Sequence, residues 1–240
     1  MDIKAYQKKC FTEYKLDLQL PSNYHYLYGN PINTLVPIET EINKFMVIGA
    51  YPSAKFYTIN GINDVPLYDN DAPFSNECYF DGTQTRTIPS GNELNDILSK
   101  IGVKRNDCWI TDLVKIFLFK EGHIKKYNKL GKMDLVENRS NFLEYAIKSL
   151  KWTNNEILIA KPKIIITLGA EVTAVLFGVS EKNGIKYLDG NCRKINISKG
   201  EYNIISLPHP GILIRNKDWK DNFDNNISRN AKKEILKYYK

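Results

Sequence analysis

Residues 156–169 read EILIAKPKIIITLG and carry the strongest fold signal in the chain. The first part continues a helical pattern that begins near Asn138, and Pro162 ends it because proline supplies no backbone N–H to a helix. Ile164–Leu168 then forms a continuous, β-branched apolar run. Such runs are typical of strands that are buried on both faces of a parallel sheet. The stretch therefore predicts a helix, a turn and a buried strand, the repeating unit of an α/β fold.

Similar apolar runs and helical patterns alternate along the rest of the chain. The other predicted strands are Phe45–Ile48, Trp109–Val114 and Ile204–Leu207, and the other predicted helices are Glu93–Ile101, Ala170–Phe177 and Arg229–Tyr239. This alternation predicts a three-layer α/β/α sandwich around a short, mainly parallel, four-stranded sheet. We expect one domain over residues 1–240, in which residues 1–40 form a helical and irregular lead-in.

The composition indicates a folded, basic protein. The chain has 240 residues, with 34 lysines and arginines against 27 aspartates and glutamates, which gives a formal net charge of +7. Hydrophobic residues make up 42% and charged residues 25%, so wholesale disorder is excluded. A basic balance favours an anionic partner such as nucleic acid, although charge alone does not identify that partner.

Targeting and metal-binding signals are weak along the sequence. The amino terminus has charges every few residues, and no stretch approaches the roughly 18 apolar residues that a membrane helix needs. The four cysteines lie far apart without a CxxC spacing, at Cys10, Cys78, Cys108 and Cys192. We therefore expect a cytoplasmic monomer with reduced thiols, without a metal, an organic cofactor or a membrane partner.

The segments at the ends of the predicted strands are the most informative, because ligands bind beyond the carboxyl ends of parallel strands. In chain order these segments are GAYPS (49–53), ITDLVK (110–115), ITLG (166–169) and LPHPGILIR (207–215). Taken singly, a turn with glycine and proline needs no functional explanation, because glycine gives backbone freedom and proline stiffens the exit.

Taken together, the segments resemble the uracil-DNA glycosylase superfamily from Phe45 to the carboxyl terminus. GAYPS is similar to its first motif, a G-x-x-P-[GS] turn, and SGNEL (90–94) resembles the stretch leading to its base-recognition strand. Residues 156–169 resemble its helix, K-P-K, strand and L-G segment. Residues 209–215 are similar to its H-P-S-x-L loop, with Gly211 where serine is usual. The resemblance implies an enzyme that flips a base out of DNA and breaks its N-glycosidic bond.

The resemblance assigns roles in the last loop and the first motif. It implies that His209 faces a carbonyl of the flipped base and stabilises charge as the bond breaks. It makes Leu213 the apolar wedge that replaces lost base stacking, and Arg215 a phosphate contact. It also places Ala50 and Tyr51 beside the base.

Further contacts follow from the same resemblance. Phe74 is similar to the aromatic residue that stacks on the base. Tyr79 and Phe80 are alternatives, because Ser75–Pro89 looks like an insertion. The other expected contacts with DNA are Ser53, Lys115, Lys120, Lys125, Lys126 and Lys129.

The first departure from the family pattern concerns the acid that activates water. Many members carry a carboxylate or amide at the second or third position of the first motif, where this chain has alanine and tyrosine. An acid from the nearby loop would replace it, and among Asp64, Asp69 and Asp71 we predict Asp71. Otherwise the chemistry is slow or unusual, or the protein binds DNA without cleaving it.

The second departure is Asp112, which stands where the superfamily has an asparagine that reads uracil. An amide offers one donor and one acceptor, whereas an ionised carboxylate only accepts. Asp112 therefore suits the exocyclic amine of cytosine better than O4 of uracil, although a buried, protonated carboxyl could also donate. The alternatives are that Asp112 activates water or caps a turn.

Two branches of the superfamily have further features to compare. The iron–sulfur branch uses a CxxC, which is absent, so we expect no cluster. Another branch has a basic loop with a histidine that bonds covalently to the opened sugar. Lys120–Lys132 (KEGHIKKYNKLGK) is basic and contains His123, and we expect a phosphate-binding loop there, with covalent trapping as the alternative.

Together these features predict a monofunctional DNA glycosylase. It would act on uracil, cytosine or a modified cytosine in duplex or single-stranded DNA and leave an abasic site. A catalytically weak DNA-binding scaffold or sensor is one alternative, because the first-motif carboxylate is missing. A defence enzyme against virus-modified cytosine is another, because Asp112 suits an exocyclic amine.

Overall fold

Strands and helices alternate along the chain in the computed structural model, which describes residues 2–21, 23–197 and 200–239. The strands are β1 (Phe45–Gly49), β2 (Ala54–Ile59), β3 (Ile62–Asp69), β4 (Cys78–Phe80), β5 (Thr85–Thr87), β6 (Cys108–Asp112), β7 (Ile164–Leu168), β8 (Cys192–Ile197) and β9 (Gly200–Leu207). The α-helices are α1 (Ile3–Asp17), α2 (Pro89–Ile101), α3 (Glu121–Lys129), α4 (Phe142–Ala160), α5 (Ala170–Phe177), α6 (Glu181–Ile185), α7 (Pro210–Arg215), α8 (Lys217–Asn222) and α9 (Ser228–Ile235).

The central sheet has the strand order β6-β1-β7-β9-β8. The first four strands are parallel to one another, and β8 runs antiparallel to β9 at the edge. The predicted class is confirmed, but the sheet has five strands where the sequence predicted four. The sequence of β8, CRKINI, mixes apolar and polar residues, as expected for a half-exposed edge strand. The strand was missed because it has no continuous apolar run.

Two hydrophobic cores lie on opposite faces of the sheet. Along β1, Met46 and Ile48 belong to one core, and Phe45 and Val47 belong to the other. Successive side chains of a strand point to opposite faces, so a fully apolar strand supplies both cores. Helices α1 and α4 pack in the first core, and α2 and α9 in the second, which gives the three predicted layers.

The helices largely follow the predicted pattern. Helix α5 has the predicted bounds, and α4 runs without interruption to Lys161, whose left-handed conformation ends it one residue before Pro162. Helix α9 ends at Ile235, four residues earlier than predicted, and a π-helical turn at Phe223–Ile227 precedes it.

The lead-in and the predicted insertion both contribute structure around the sheet. Helix α1 packs on α4, where the Tyr14 hydroxyl lies 2.5 Å from the Ser149 hydroxyl. Strands β2 and β3 form an antiparallel hairpin directly after the first motif. The predicted insertion Ser75–Pro89 contains a second, short hairpin made by β4 and β5. Within the described residues, we find no helix whose length and apolar character would allow it to cross a membrane.

Candidate active site

A cavity of about 500 Å³ opens at the carboxyl ends of three adjacent parallel strands. Tyr51 follows β1, Glu171 follows β7 and His209 follows β9, and all three line the cavity. We call it the strand-end cavity. Open parallel sheets bind ligands at this position, so the fold brings together residues that lie far apart in the sequence.

His209 is held in a defined orientation at the amino end of α7. Its Nδ1 accepts a hydrogen bond of 2.9 Å from the backbone N–H of Gly211. Because Nδ1 is an acceptor, the neutral ring carries its proton on Nε2. Burial, with a smaller contribution from the Arg215 guanidinium, lowers the pKa of His209 to about 4. The imidazole is therefore a neutral hydrogen-bond donor at physiological pH.

Glu171 supplies a carboxylate to the same cavity, although no motif in the sequence indicates this role. The backbone turns sharply at Gly169, where φ is +107°. A Cβ on Gly169 would lie 3.0 Å from Oε2 of Glu171 and 3.4 Å from Cβ of His209, so the acid and the histidine border the same glycine. Burial raises the pKa of Glu171. The sequence feature that could have indicated Glu171 is its position, two residues after the glycine that follows a predicted strand.

Three cations surround the opening. Lys120, Arg139 and Arg215 line the strand-end cavity. The guanidinium of Arg139 lies 4.8 Å from the centre of the Tyr51 ring, a cation–π contact. Burial lowers the pKa of Lys120, and the neighbouring cations, of which Arg139 contributes most, lower it further. Such a concentration of positive charge suits phosphate groups. Arg139 was also missed, because in the sequence it lies within a predicted helical region.

The first motif forms one wall of this cavity. Ser53 lines it, and the Asn70 side-chain amide donates a hydrogen bond of 2.8 Å to the Ser53 hydroxyl. Ala50 is buried, and its carbonyl accepts a hydrogen bond from the backbone N–H of Val114. Burial raises the pKa of the Tyr51 hydroxyl, although the neighbouring Arg139 guanidinium opposes the shift.

Asp112 and Phe74 pack together beside the first motif and do not line the cavity. The Asp112 carboxyl and the Phe74 ring lie so close to Gly49 that a Cβ there would overlap both. Asp112 is 1% exposed, and its Oδ1 has no hydrogen-bond partner within the described residues. Burial raises the pKa of Asp112 to about 7, although the nearby Lys115 opposes the shift. The structure therefore brings the predicted base reader and stacking residue together, in a closed arrangement.

The predicted phosphate contact of Lys115 is wrong. Its side chain is fully buried, and its ammonium forms an ion pair of 2.7 Å with the Glu156 carboxylate. The ammonium also donates a hydrogen bond of 2.6 Å to the Thr111 hydroxyl. A lysine held in this way joins β6 to α4 and cannot reach DNA.

The prediction that Leu213 is the wedge is also wrong in this structure. Leu213 is 3% exposed and belongs to the second hydrophobic core. The segment after His209 forms helix α7, which turns Leu213 inward and leaves the next residue, Ile214, 50% exposed. Ile214 is therefore the apolar side chain that this helix presents to solvent.

The structure separates the predicted loop acids from His209. Asp69 and Asp71 line a different cavity, and Asp71 pairs with Lys55 at 3.4 Å. Asp69 accepts hydrogen bonds from the Tyr26 hydroxyl and the Asn33 backbone N–H. Among the described residues, two carboxylates, Glu171 and Glu181, line the strand-end cavity with His209, and Glu171 is the one that borders the same glycine as His209.

The segment Lys120–Lys132 contains helix α3 where a loop was expected. His123 lines the strand-end cavity and stacks on Phe117 with ring centres 5.4 Å apart. Its Nδ1 accepts a hydrogen bond from the backbone N–H of Lys120, and burial lowers its pKa to about 3. Among residues 2–21, 23–197 and 200–239, no group of three or more histidine, cysteine, aspartate or glutamate side chains is placed to hold a metal ion.

The comparison with protein families agrees with this arrangement. The family model described as the uracil DNA glycosylase superfamily matches residues 41–238, which is most of the chain. No curated protein matches the sequence. The matched region contains every residue that we have assigned to the strand-end cavity, from Tyr51 to Arg215. The chain belongs to the uracil-DNA glycosylase superfamily.

Proposed function

We propose that this protein is a monofunctional DNA glycosylase that hydrolyses the N-glycosidic bond of a flipped pyrimidine and leaves an abasic site. Family membership supports a glycosylase activity on DNA in general terms. The observation that carries the proposal is the shared position of His209 and Glu171 in one cavity with a cationic rim. A neutral donor and a carboxylate are the two aids that glycosidic cleavage needs at the base and at the sugar.

His209 would act on the leaving base. As the bond between C1′ and the base nitrogen breaks, negative charge develops on the base and its carbonyl oxygen. The Nε2–H of His209 would donate a hydrogen bond to that oxygen in the transition state. Because the pKa of His209 lies at about 4, the ring would stabilise this charge without transferring a proton.

Glu171 would act on the sugar and on water. Its carboxylate would stabilise the positive charge that develops at C1′ and accept a proton from the attacking water. The water oxygen then bonds to C1′ and the glycosidic electron pair stays with the base. Glu171 releases the accepted proton to solvent, and the base nitrogen takes up a proton from solvent. Glu171 would therefore replace the carboxylate that the first motif lacks.

The remaining residues would orient the DNA and select the base. Lys120, Arg139 and Arg215 would bind phosphates around the opening. Asp112 would contact the base edge after the Phe74 ring moves away from Gly49. A carboxyl group with a pKa of about 7 can present either a donor and an acceptor or acceptors only, so uracil and cytosine-type bases are both candidate substrates.

The test is an excision assay on a defined panel. Single- and double-stranded oligonucleotides carrying uracil, cytosine, 5-methylcytosine or 5-hydroxymethylcytosine are incubated with the protein and then treated with alkali. We expect strand breaks at one pyrimidine position and none before the alkali treatment. Binding of DNA without any alkali-labile site would favour a DNA-binding role and contradict the proposed chemistry.

A further inference from the structure

A second cavity, of about 680 Å³, lies on the other side of β2 from the strand-end cavity. We call it the aromatic cavity. Lys55 and Tyr57 line the aromatic cavity and Phe56 lines the strand-end cavity, because successive residues of a strand point to opposite sides. Asn70 lines the aromatic cavity and Ser53 lines the strand-end cavity, and a hydrogen bond joins these two residues. The two cavities are direct neighbours that share a wall.

Aromatic rings form one side of the aromatic cavity. The Tyr57 ring centre lies 5.9 Å from that of Tyr68 and 6.1 Å from that of Tyr79. Tyr68 is 44% exposed, and Phe80, from the same hairpin as Tyr79, is 57% exposed. Flat, accessible ring faces of this kind are the surfaces on which unpaired nucleobases stack.

Two buried polar atoms in the same cavity have no hydrogen-bond partner in the part of the chain that the structure describes. Thr34 and Asn70 line the aromatic cavity and are 2% and 4% exposed. Within the described residues, neither Thr34 Oγ1 nor Asn70 Oδ1 makes a hydrogen bond, although buried polar atoms normally do. The Asn70 amide nitrogen is engaged by Ser53, so its oxygen is left as an acceptor. A ligand that brings an N–H donor to Asn70 Oδ1 and an acceptor to the Thr34 hydroxyl would satisfy both atoms.

The charges of the aromatic cavity disfavour phosphate. Among the described lining residues, Lys55 is the one cation, and its ammonium lies 3.2 Å from Glu77 and 3.4 Å from Asp71. Asp69 adds a second carboxyl group to the lining. A neutral ring is therefore a better occupant than a phosphate group, and the free cations lie at the neighbouring strand-end cavity.

We propose that the aromatic cavity binds one unstacked nucleobase of the DNA, from a nucleotide close to the one whose base enters the strand-end cavity. The base stacks on the tyrosine and phenylalanine rings, and its edge pairs with Asn70 and Thr34. Its phosphates stay on the cationic rim of the strand-end cavity. The proposal rests on the proposed DNA function. The same chemistry fits a free nucleoside, so the experiment separates the two sources.

The experiment measures binding of a fluorescein-labelled single strand by fluorescence anisotropy at one fixed salt concentration. The strand carries 2′-fluoro-2′-deoxyuridine at its centre, which resists cleavage. The two nucleotides on each side of this position are replaced, one at a time, by an abasic tetrahydrofuran residue. Replacement at one position should weaken binding to the wild-type protein by about 5- to 150-fold, the range for loss of one stacked base.

Variants assign that loss to the aromatic cavity. The double variant Tyr68→Ala/Phe80→Ala removes two exposed rings. It should bind the intact strand as weakly as the wild type binds the sensitive abasic strand. The abasic replacement should then cause no further loss of affinity in the double variant. Tyr28→Ala is the matched control, because Tyr28 is 71% exposed and outside the cavity lining, and it should behave as the wild type.

Three results would overturn the proposal. In the first, the wild type binds the strand and no single replacement changes the affinity more than twofold, which leaves the DNA function intact. In the second, the loss persists unchanged in the double variant. In the third, free deoxynucleosides saturate the cavity while no strand position matters. Failure to bind any DNA would instead contradict the proposed function itself.

Discussion

Nδ1 of His209 lies 2.9 Å from the backbone nitrogen of Gly211 and accepts its hydrogen bond. This contact fixes the ring and leaves Nε2 as the donor. Gly211 stands where the family motif usually has serine, and a Cβ there would lie 3.1 Å from both the His209 ring and the Arg215 guanidinium. The departure from the motif therefore makes room for Arg215 beside the histidine.

In the Asp112→Asn variant, whose amide does not titrate, the pH dependence of excision should report Glu171. Because burial raises the pKa of Glu171 and only its ionised form accepts a proton from water, the rate should rise with pH through that pKa and then level off. His209 is neutral above about pH 4, so its titration does not contribute to the profile near neutral pH. Single-turnover rates across this range check the profile. A rate that falls as the pH rises towards neutrality would indicate a required protonated group instead.

Glu171→Gln should lower the single-turnover excision rate by about 10²-fold or more, because the amide cannot accept the proton. DNA affinity should stay the same or improve, since a negative charge near phosphates is removed. Glu13→Gln is a suitable control, because Glu13 is an exposed carboxylate on α1, outside the cavity lining. Equal rates for the two variants would remove Glu171 from the mechanism.

Asp112 should make base selectivity depend on pH. Its pKa of about 7 means that the carboxyl group is mostly neutral at pH 6 and mostly ionised at pH 8. The neutral form offers a donor to O4 of uracil, and the ionised form does not. The ratio of uracil to cytosine excision should therefore fall by roughly tenfold between these pH values, since a mismatched hydrogen bond costs about 1–3 kcal/mol.

The matched variant is Asp112→Asn, whose amide does not titrate. Its uracil-to-cytosine ratio should be high at both pH values, and the titration of Glu171 should cancel because it affects both rates equally. Loss of activity on both bases together would show that Asp112 activates water. A ratio unchanged by pH and by the substitution would show that Asp112 does not read the base.

Substitution of Lys115 should lower the stability of the protein, whereas substitution of Lys120 should weaken DNA binding. Lys115→Met leaves the buried Glu156 carboxylate without its ion-pair partner, so the free energy of unfolding should fall by about 3–5 kcal/mol. Lys120→Ala and Arg215→Ala should change stability by about 0.5 kcal/mol or less, because both side chains are exposed. Each substitution should instead reduce, by about 0.9, the magnitude of the slope of log binding constant against log salt concentration for duplex DNA.

Urea denaturation and binding titrations at several salt concentrations measure both effects. Lys194→Ala is the charge-matched control, because Lys194 lies on the edge strand β8 and pairs with Glu201. It should leave the salt slope unchanged. A slope that responds equally to Lys194→Ala and Lys120→Ala would show that net charge, and not the rim of the strand-end cavity, determines binding.

The sequence predicts the parts of the fold that depend on local pattern. Ile164–Leu168 is a strand as predicted, because a continuous apolar run is stable only where both faces are covered. The same reasoning places the candidate site at the strand ends, whereas His209 was proposed from the family resemblance. Strand β8 was missed, because an edge strand with one solvent face carries a mixed pattern that local reading cannot separate from a loop.

The site residues that depend on distant partners could not be predicted. The role of Lys115 is set by Glu156, which lies forty-one positions later in the chain. Leu213 is buried because the segment after His209 is helical and not an extended loop. Glu171 belongs to the site because β7 and β9 are neighbours in the sheet, a fact of topology that no local motif records.

The central claim is that His209 stabilises the leaving base in a hydrolytic glycosylase. The most direct test compares single-turnover excision by the wild type, His209→Ala and the control His25→Ala, with DNA affinity measured in parallel. We predict that His209→Ala lowers the excision rate by about 10²–10³-fold and leaves DNA affinity nearly unchanged, because a contact made in the transition state is lost. Full excision activity in a folded His209→Ala protein would contradict the account.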